Sequence, residues 1–212
     1  KVRGIVEILP PFAYHAWFTD VKLKSDGTVL ASGSLRGRFM AARFLRDGRL
    51  DRRFGKNGIS SFDLDGQPGC KCSVAVAMGR DGHGRILLAG YTMKYHLGDA
   101  DLQLTVIRLK RNGRLDRSFG VNGVARPQLS EYIELPDGTP VRRFLTTGLT
   151  VQRNGKIVVS GQYNLRYSLV RLNPNGKLDL SFFDGGVYAD WVRGRFGSAW
   201  DVITDRVGRI VS

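Results

Sequence analysis

Cysteine and histidine are scarce in this 212-residue chain, with two of the first and three of the second, and acidic side chains (19) are far outnumbered by lysine and arginine (33). Two thiols exclude a disulfide-stapled scaffold. Cys70 and Cys72 form a Cys-Lys-Cys pair in a Gly/Pro-flanked stretch, and His15, His83 and His96 are scattered, so no four-ligand zinc site is in view and neither metal nor cofactor is expected. Gly-x-Ser-x-Gly, His-Glu-x-x-His and phosphate-loop signatures are all missing, which argues against an enzyme. No apolar run approaches the ~20 residues of a membrane-spanning helix; stretches such as Ile86-Leu87-Leu88-Ala89 have the length of single strands. Residue 1 is Lys with no leader-like segment behind it, so any targeting peptide is expected to have been removed or to lie outside these residues.

What is present is globular: 42% hydrophobic and 10% aromatic residues, 27 glycines, and a net charge of +14. One phrase recurs three times, at Arg43–Gly55, Arg108–Gly120 and Arg171–Phe182, each built on Arg-Leu/Phe, a turn dipeptide, Leu-Asp and Phe. A second phrase precedes each copy, at Asp26–Gly33, Gly84–Gly90 and Asn154–Gly161, and begins again at Gly208–Ser212. Short apolar runs separated by Asx-Gly and Gly dipeptides make each unit a meander of about four strands. Asp47-Gly48, Asn112-Gly113 and Asn175-Gly176 read as tight type I′ turns. Such a thin sheet cannot bury both faces alone, and stacking of copies around an axis is the usual remedy. The expected fold is all-β: tandem four-stranded antiparallel blades of β-propeller type in a partial ring of about three and a half blades, with a sandwich or open solenoid as the alternative. The units are approximately 20–62, 73–126 and 144–190, with a partial one at 198–212 and residues 4–8 as the last strand of a preceding repeat. The whole reads as a single repeat domain and as a fragment, whose ring closure needs further chain or another subunit.

The phrase Arg-Leu-x-x-x-Gly-x-Leu-Asp-x-Ser-Phe-Gly, carried best by Asn112–Gly123 and Asn154–Ser181, resembles the delta-60 repeat, a bacterial repeat family similar in layout to NHL blades. The resemblance implies a propeller-like fold in secreted or cell-surface proteins and is silent about activity. The third copy departs from it with Phe182-Phe183-Asp184-Gly185-Gly186, so its turn is expected to differ.

The recurrent residues are read as structural. Arg43, Arg108 and Arg171 lie eight residues before Asp51, Asp116 and Asp179, the spacing of one ion pair per repeat. Leu50 and Phe54, Leu115 and Phe119, Leu178 and Phe182 are spaced i, i+4 and are expected to point the same way into the seams. A meander puts its alternate connections on opposite faces. The short turns hold Arg46, Arg49, Arg53, Arg80, Arg111, Arg114, Arg117 and Arg153, so one face should be electropositive. The other face should carry variable connections, among them Pro10–Thr19, Thr92–Gln103, Pro127–Arg142 and Asn164–Tyr167, with Tyr14, Trp17, Tyr95, Tyr132 and Tyr167. The function expected is a non-enzymatic scaffold that docks a protein or an anionic polymer through those loops or that basic face. The alternatives are nucleic-acid binding through the basic turns, or a channel-centred hydrolase or lyase using Asp20, Asp201 and Glu131.

Overall fold

The structure, a computed structural model, describes residues 15–64, 73–96, 99–129, 133–134, 140–141, 143–190, 201–205 and 208–211. Residues 4–8, Tyr14, Cys70, Cys72, Glu131 and Tyr132 lie outside that set, and of Tyr95 only the backbone falls within it.

Every described element is a strand. The first sheet runs β1 (Ala16–Leu23), β2 (Val29–Leu35), β3 (Arg38–Phe44), β4 (Ile59–Phe62). The second runs β5 (Val74–Arg80), β6 (Ile86–His96), β7 (Asp99–Leu109), β8 (Val124–Ala125). Two short strands, β9 (Ile133–Glu134) and β10 (Pro140–Val141), pair with each other. The third sheet runs β11 (Phe144–Val151), β12 (Ile157–Tyr163), β13 (Arg166–Leu172), β14 (Val187–Asp190), and a hairpin of β15 (Ile203–Thr204) and β16 (Ile210–Val211) follows. All pairing within these sheets is antiparallel and between sequence neighbours, so each sheet is a simple meander. Four-stranded sheets set in tandem, face against face, are the blades of a partial β-propeller.

The apolar residues of the central strands fill the spaces between blades. Leu30, Phe39, Ala41 and Phe54 of the first blade pack with Met78, Ile86, Leu88, Ile107 and Leu109 of the second. Leu87, Leu104, Val106 and Phe119 on the opposite face of that blade pack with Phe144, Leu149, Ile157, Val159, Val170 and Leu172 of the third. Val158, Leu169 and Phe182 then meet Val202 and Ile210. Residues Ile86–Gly90 are all buried, as a strand covered on both faces must be.

One glycine per blade is set by close approach. The innermost strands β1, β5 and β11 each carry a register shift, at Phe18/Asp20, Ala75/Ala77 and Thr146/Gly148. The bulge drives a backbone carbonyl toward the paired strand: a Cβ on Gly33 would lie 2.0 Å from Trp17 O, and on Gly90 1.8 Å from Val74 O. The bulged strands also stitch the blades together. Thr19 Oγ1 donates to Ala75 O (2.5 Å), Thr146 Oγ1 to Gly90 O (3.0 Å), and Asp20 Oδ2 accepts from Met78 N (2.9 Å).

Three sequence expectations need correction. The Asp47-Gly48, Asn112-Gly113 and Asn175-Gly176 turns are not type I′, because only the glycines have positive φ (81°, 82° and 89°). They are type I turns closed by a left-handed glycine, and the Asx side chain accepts the backbone N–H two residues on, as in Asp47 to Arg49 and Asn112 to Arg114. That side-chain bond supplies what a second positive φ would have. Leu and Phe of each i, i+4 pair point to opposite faces. Leu115 packs into the seam behind its blade and Phe119 into the seam ahead, because the leucine bridges the third strand (Leu109 with Leu115) and a turn, not a helix, follows. Finally, the third copy keeps the turn of the others. Gly186 N bonds Phe182 O (2.8 Å) as Gly58 N bonds Phe54 O and Gly123 N bonds Phe119 O, and Phe183 is held at φ 43° where the first two copies have Gly55 and Gly120.

Candidate functional site: the basic turn face

Arg43, Arg108 and Arg171 each leave the third strand of a blade and lie over the blade's own phenylalanine, with the guanidinium carbon 5.0, 4.8 and 4.3 Å from the ring centre of Phe54, Phe119 and Phe182. Their Nε donates to Asp51 (2.9 Å), Asp116 (2.8 Å) and Asp179 (2.6 Å). Each of these aspartates also caps the turn that follows, accepting the backbone N–H of Arg53, Ser118 and Ser181. In the first two blades the same arginine reaches across the seam: Arg43 Nη1 donates to Arg111 O (2.9 Å) and Arg108 Nη1 to Pro174 O (2.7 Å). Gly55 N and Gly120 N add bonds to Asn112 O and Asn175 O. The next blade's turn glycine is pressed onto the phenylalanine, so that a Cβ on Gly113 would lie 2.9 Å from Phe54 and on Gly176 2.9 Å from Phe119. This clasp ties the first blade to the second and the second to the third.

Burial opposes ionisation of the clasp carboxylates. Bonds from Lys156, Ser181 and Arg171 outweigh it at Asp179, as do bonds from Ser118 and Arg108 at Asp116 and from Arg53 and Arg43 at Asp51, and all three are held below the ordinary carboxylate range.

The hairpin turns and the clasp turns emerge on one face of the blades; the acids of the hairpin turns are spent, while Asp184 on the third clasp turn is exposed with no cation partner among the described residues. Asp26 takes Lys24 and Thr28, Asp47 takes Arg49, Asp81 takes Arg85, and Asp205 takes Arg209. Of the sequence-nominated cations, Arg49 (2.7 Å to Asp47) and Arg53 (3.3 Å to Asp51) are paired, and Arg111 donates to His83 O (2.7 Å). Arg46, Arg114 and Arg117 are exposed with no carboxylate partner among the described residues, and so are Arg52, Lys56, Arg80, Lys110, Arg153 and Lys177. One face therefore carries uncompensated positive charge on rigid turns. Between the hairpin turns of the second and third blades and the β15–β16 hairpin lies a cleft of about 510 Å³, lined by Arg80, Gly82, Gln152, Arg153, Asp205 and Gly208 among others.

The aromatic side is less of a unit. Trp17 is 47% exposed but belongs to β1, and the expected loop Pro10–Thr19 is strand from Ala16 onward. The expected loop Thr92–Gln103 is a long hairpin paired as far as His96 with Asp99, and Asn164–Tyr167 is a two-residue turn with both central φ positive (47° and 71°). Tyr167 is half-buried in β13, its ring edge-on to Tyr188 at 5.9 Å. Strand pairing extends these segments because their polar and apolar residues alternate across the hairpin. Of the candidate channel acids, Asp20 is committed to Met78 N and Lys22, and Asp201 caps its neighbour Val202 N. Sequence reasoning missed Gln152, Gly82 and Gly208, since nothing in their own spacing shows that three hairpins converge.

The tandem blades define a propeller-type protein. Residues 84–119 and 152–182 match the family model described as a domain of unknown function (DUF5122) beta-propeller, so over those two stretches the chain is similar to a family of propeller repeats. Each matched segment runs from a hairpin turn through two strands to the clasp phenylalanine. No curated protein matches the chain.

Proposed function

We propose that this chain is a non-enzymatic propeller scaffold whose basic turn face docks an acidic protein surface or another anionic polymer. The observation that carries the reading is charge that the fold leaves unbalanced: the acids on the turn face other than Asp184 are engaged locally, while nine arginines and lysines on or beside the same turns have no carboxylate partner among the described residues. The blades position these cations at fixed intervals, so an extended polyanion meets several at once. Kinship with the narrower delta-60 repeat type belongs to the same reading and rests on the phrases at Asn112–Gly123 and Asn154–Ser181.

The test is binding of fluorescent polyglutamate and of a single-stranded polynucleotide at low and moderate salt, for the wild type and for the triple variant Arg46→Glu, Arg114→Glu, Arg117→Glu. Binding of polyglutamate that weakens with salt and falls at least tenfold in the variant is expected. A strong preference for the polynucleotide with a steep salt slope would replace this reading by nucleic-acid binding. No binding to either at low salt, or equal binding by the variant, would end it.

A further inference from the structure

The three hairpin turns around the 510 Å³ cleft share one design with one exception. Their first residues are equivalent by backbone pairing, Asp81 N to Arg85 O, Gln152 N to Lys156 O and Asp205 N to Arg209 O. Where the flanking turns have an aspartate bonded to its own arginine at 2.6 Å, the middle one has Gln152, and Lys156 is drawn away to Asp179 (2.8 Å). The middle turn therefore brings no carboxylate to the cleft, and the two flanking ones are neutralised.

Positive charge, by contrast, converges there. Arg80 and Arg153 line the cleft, exposed and without an acidic partner among the described residues. Arg80 also lies beside a second guanidinium: the point where a Cβ on Gly84 would sit is 3.2 Å from Arg80 Nη2 and 2.8 Å from Arg111 Nε. Gln152 Nε2 donates to Gly208 O (3.3 Å), while its buried Oε1 has no partner. Two walls are glycine, and a Cβ on Gly82 or Gly208 would meet nothing within 4 Å. Walls without side chains give an anion close access to the backbone, and forked arginine donors at the rim match the hydrogen-bonding of a tetrahedral dianion, with room left for the polymer that carries it.

We propose that this cleft is an oxyanion site that takes a phosphoryl or sulfuryl group, with Arg80 and Arg153 as its counter-ions. Its use as a specificity pocket for a phosphorylated or sulfated polymer rests on the docking reading above; the oxyanion site itself does not.

The Gly82 and Gly208 amide resonances of the full chain would be followed during titration with inorganic phosphate, inorganic sulfate and chloride at constant ionic strength. Saturable shifts with phosphate or sulfate and none with chloride are expected, and whichever of the two saturates identifies the group. Gly82→Glu, built into open space at a position without positive φ, should raise the apparent Kd at least tenfold while leaving the rest of the spectrum in place. If that variant unfolds, Arg153→Ala on its exposed turn is the substitute, with a several-fold rise expected. Linear shifts, an equal response to chloride, or unchanged saturation in the folded variant would overturn the proposal. Saturation by phosphate in a protein that ignores every polyanion would sink the docking reading and leave this site standing.

Discussion

The clasps of the second and third blades share their arginine, leucine, aspartate, serine and phenylalanine in the same order and differ most in what lies beyond them. Arg108 is 5% exposed, bonds Asp116 and Ser118, and holds Pro174 O of the next blade. Arg171 is 17% exposed, bonds Asp179 beside Lys156, and holds no carbonyl of a further blade among the described residues. The motif is written inside one repeat, yet much of its worth is created between repeats, where the next turn excludes water from the ion pair and supplies the last acceptor.

That difference can be broken by substitution. Arg108→Ala should cost ~3–5 kcal/mol in chemical denaturation, because it leaves a buried carboxylate with only the looser Arg85 contact at 3.6 Å as a counter-ion and frees a seam carbonyl. Arg171→Ala should cost ~1–2 kcal/mol, since Lys156 remains to compensate Asp179. Equal losses would show that the seam adds nothing to the clasp.

Acid sharpens the comparison. The clasp aspartates are depressed in the folded state below the ordinary 3.8, so their contribution is fully present above that value and is lost as pH falls below it toward the folded pKa. The melting temperature should hold steady from neutral pH to about 5 and then drop by several degrees toward pH 3. Asp116→Asn should flatten part of that fall. A curve that is steepest near neutrality would contradict this account.

The smallest effect concerns Phe183, which is 68% exposed and held at φ 43° against the rings of Phe182 and Tyr188. Phe183→Gly restores the residue used in the other two copies. It should raise stability by ~0.5–1 kcal/mol through relief of the left-handed conformation, offset in part by the lost ring contact. A marked loss would mean that the ring contacts with Phe182 and Tyr188 outweigh the backbone conformation.

Much of the fold was legible before any coordinates. Alternating apolar runs between Asx-Gly turns announced strands, and the recurring eight-residue interval from Arg to Asp marked one unit per repeat. Facing was harder to read. Leu115 and Phe119 share a helical interval but follow a strand bridge and a turn, so they occupy different seams. Tyr167 looked like a loop residue because Asn164-Leu165 is a tight turn without glycine, an uncommon solution that places two non-glycine residues at positive φ. The basic face was legible as composition, but which of its arginines are engaged was not: Arg49 and Arg53 turn back to acids two residues away, while Arg46 and Arg114 do not.

What the sequence by itself determined is local: strand periodicity, the left-handed glycines that close the turns, and the recurrence that makes every unit alike, all set by backbone sterics and by side chains within a few residues of one another. What only the tertiary structure decided is relational. The second acceptor of Arg108 is Pro174, 66 residues on, and the cleft draws Arg80, Gln152 and Gly208 from three successive repeats. Distances of that kind depend on how thin sheets stack to hide one another's faces, and no interval along the chain encodes them.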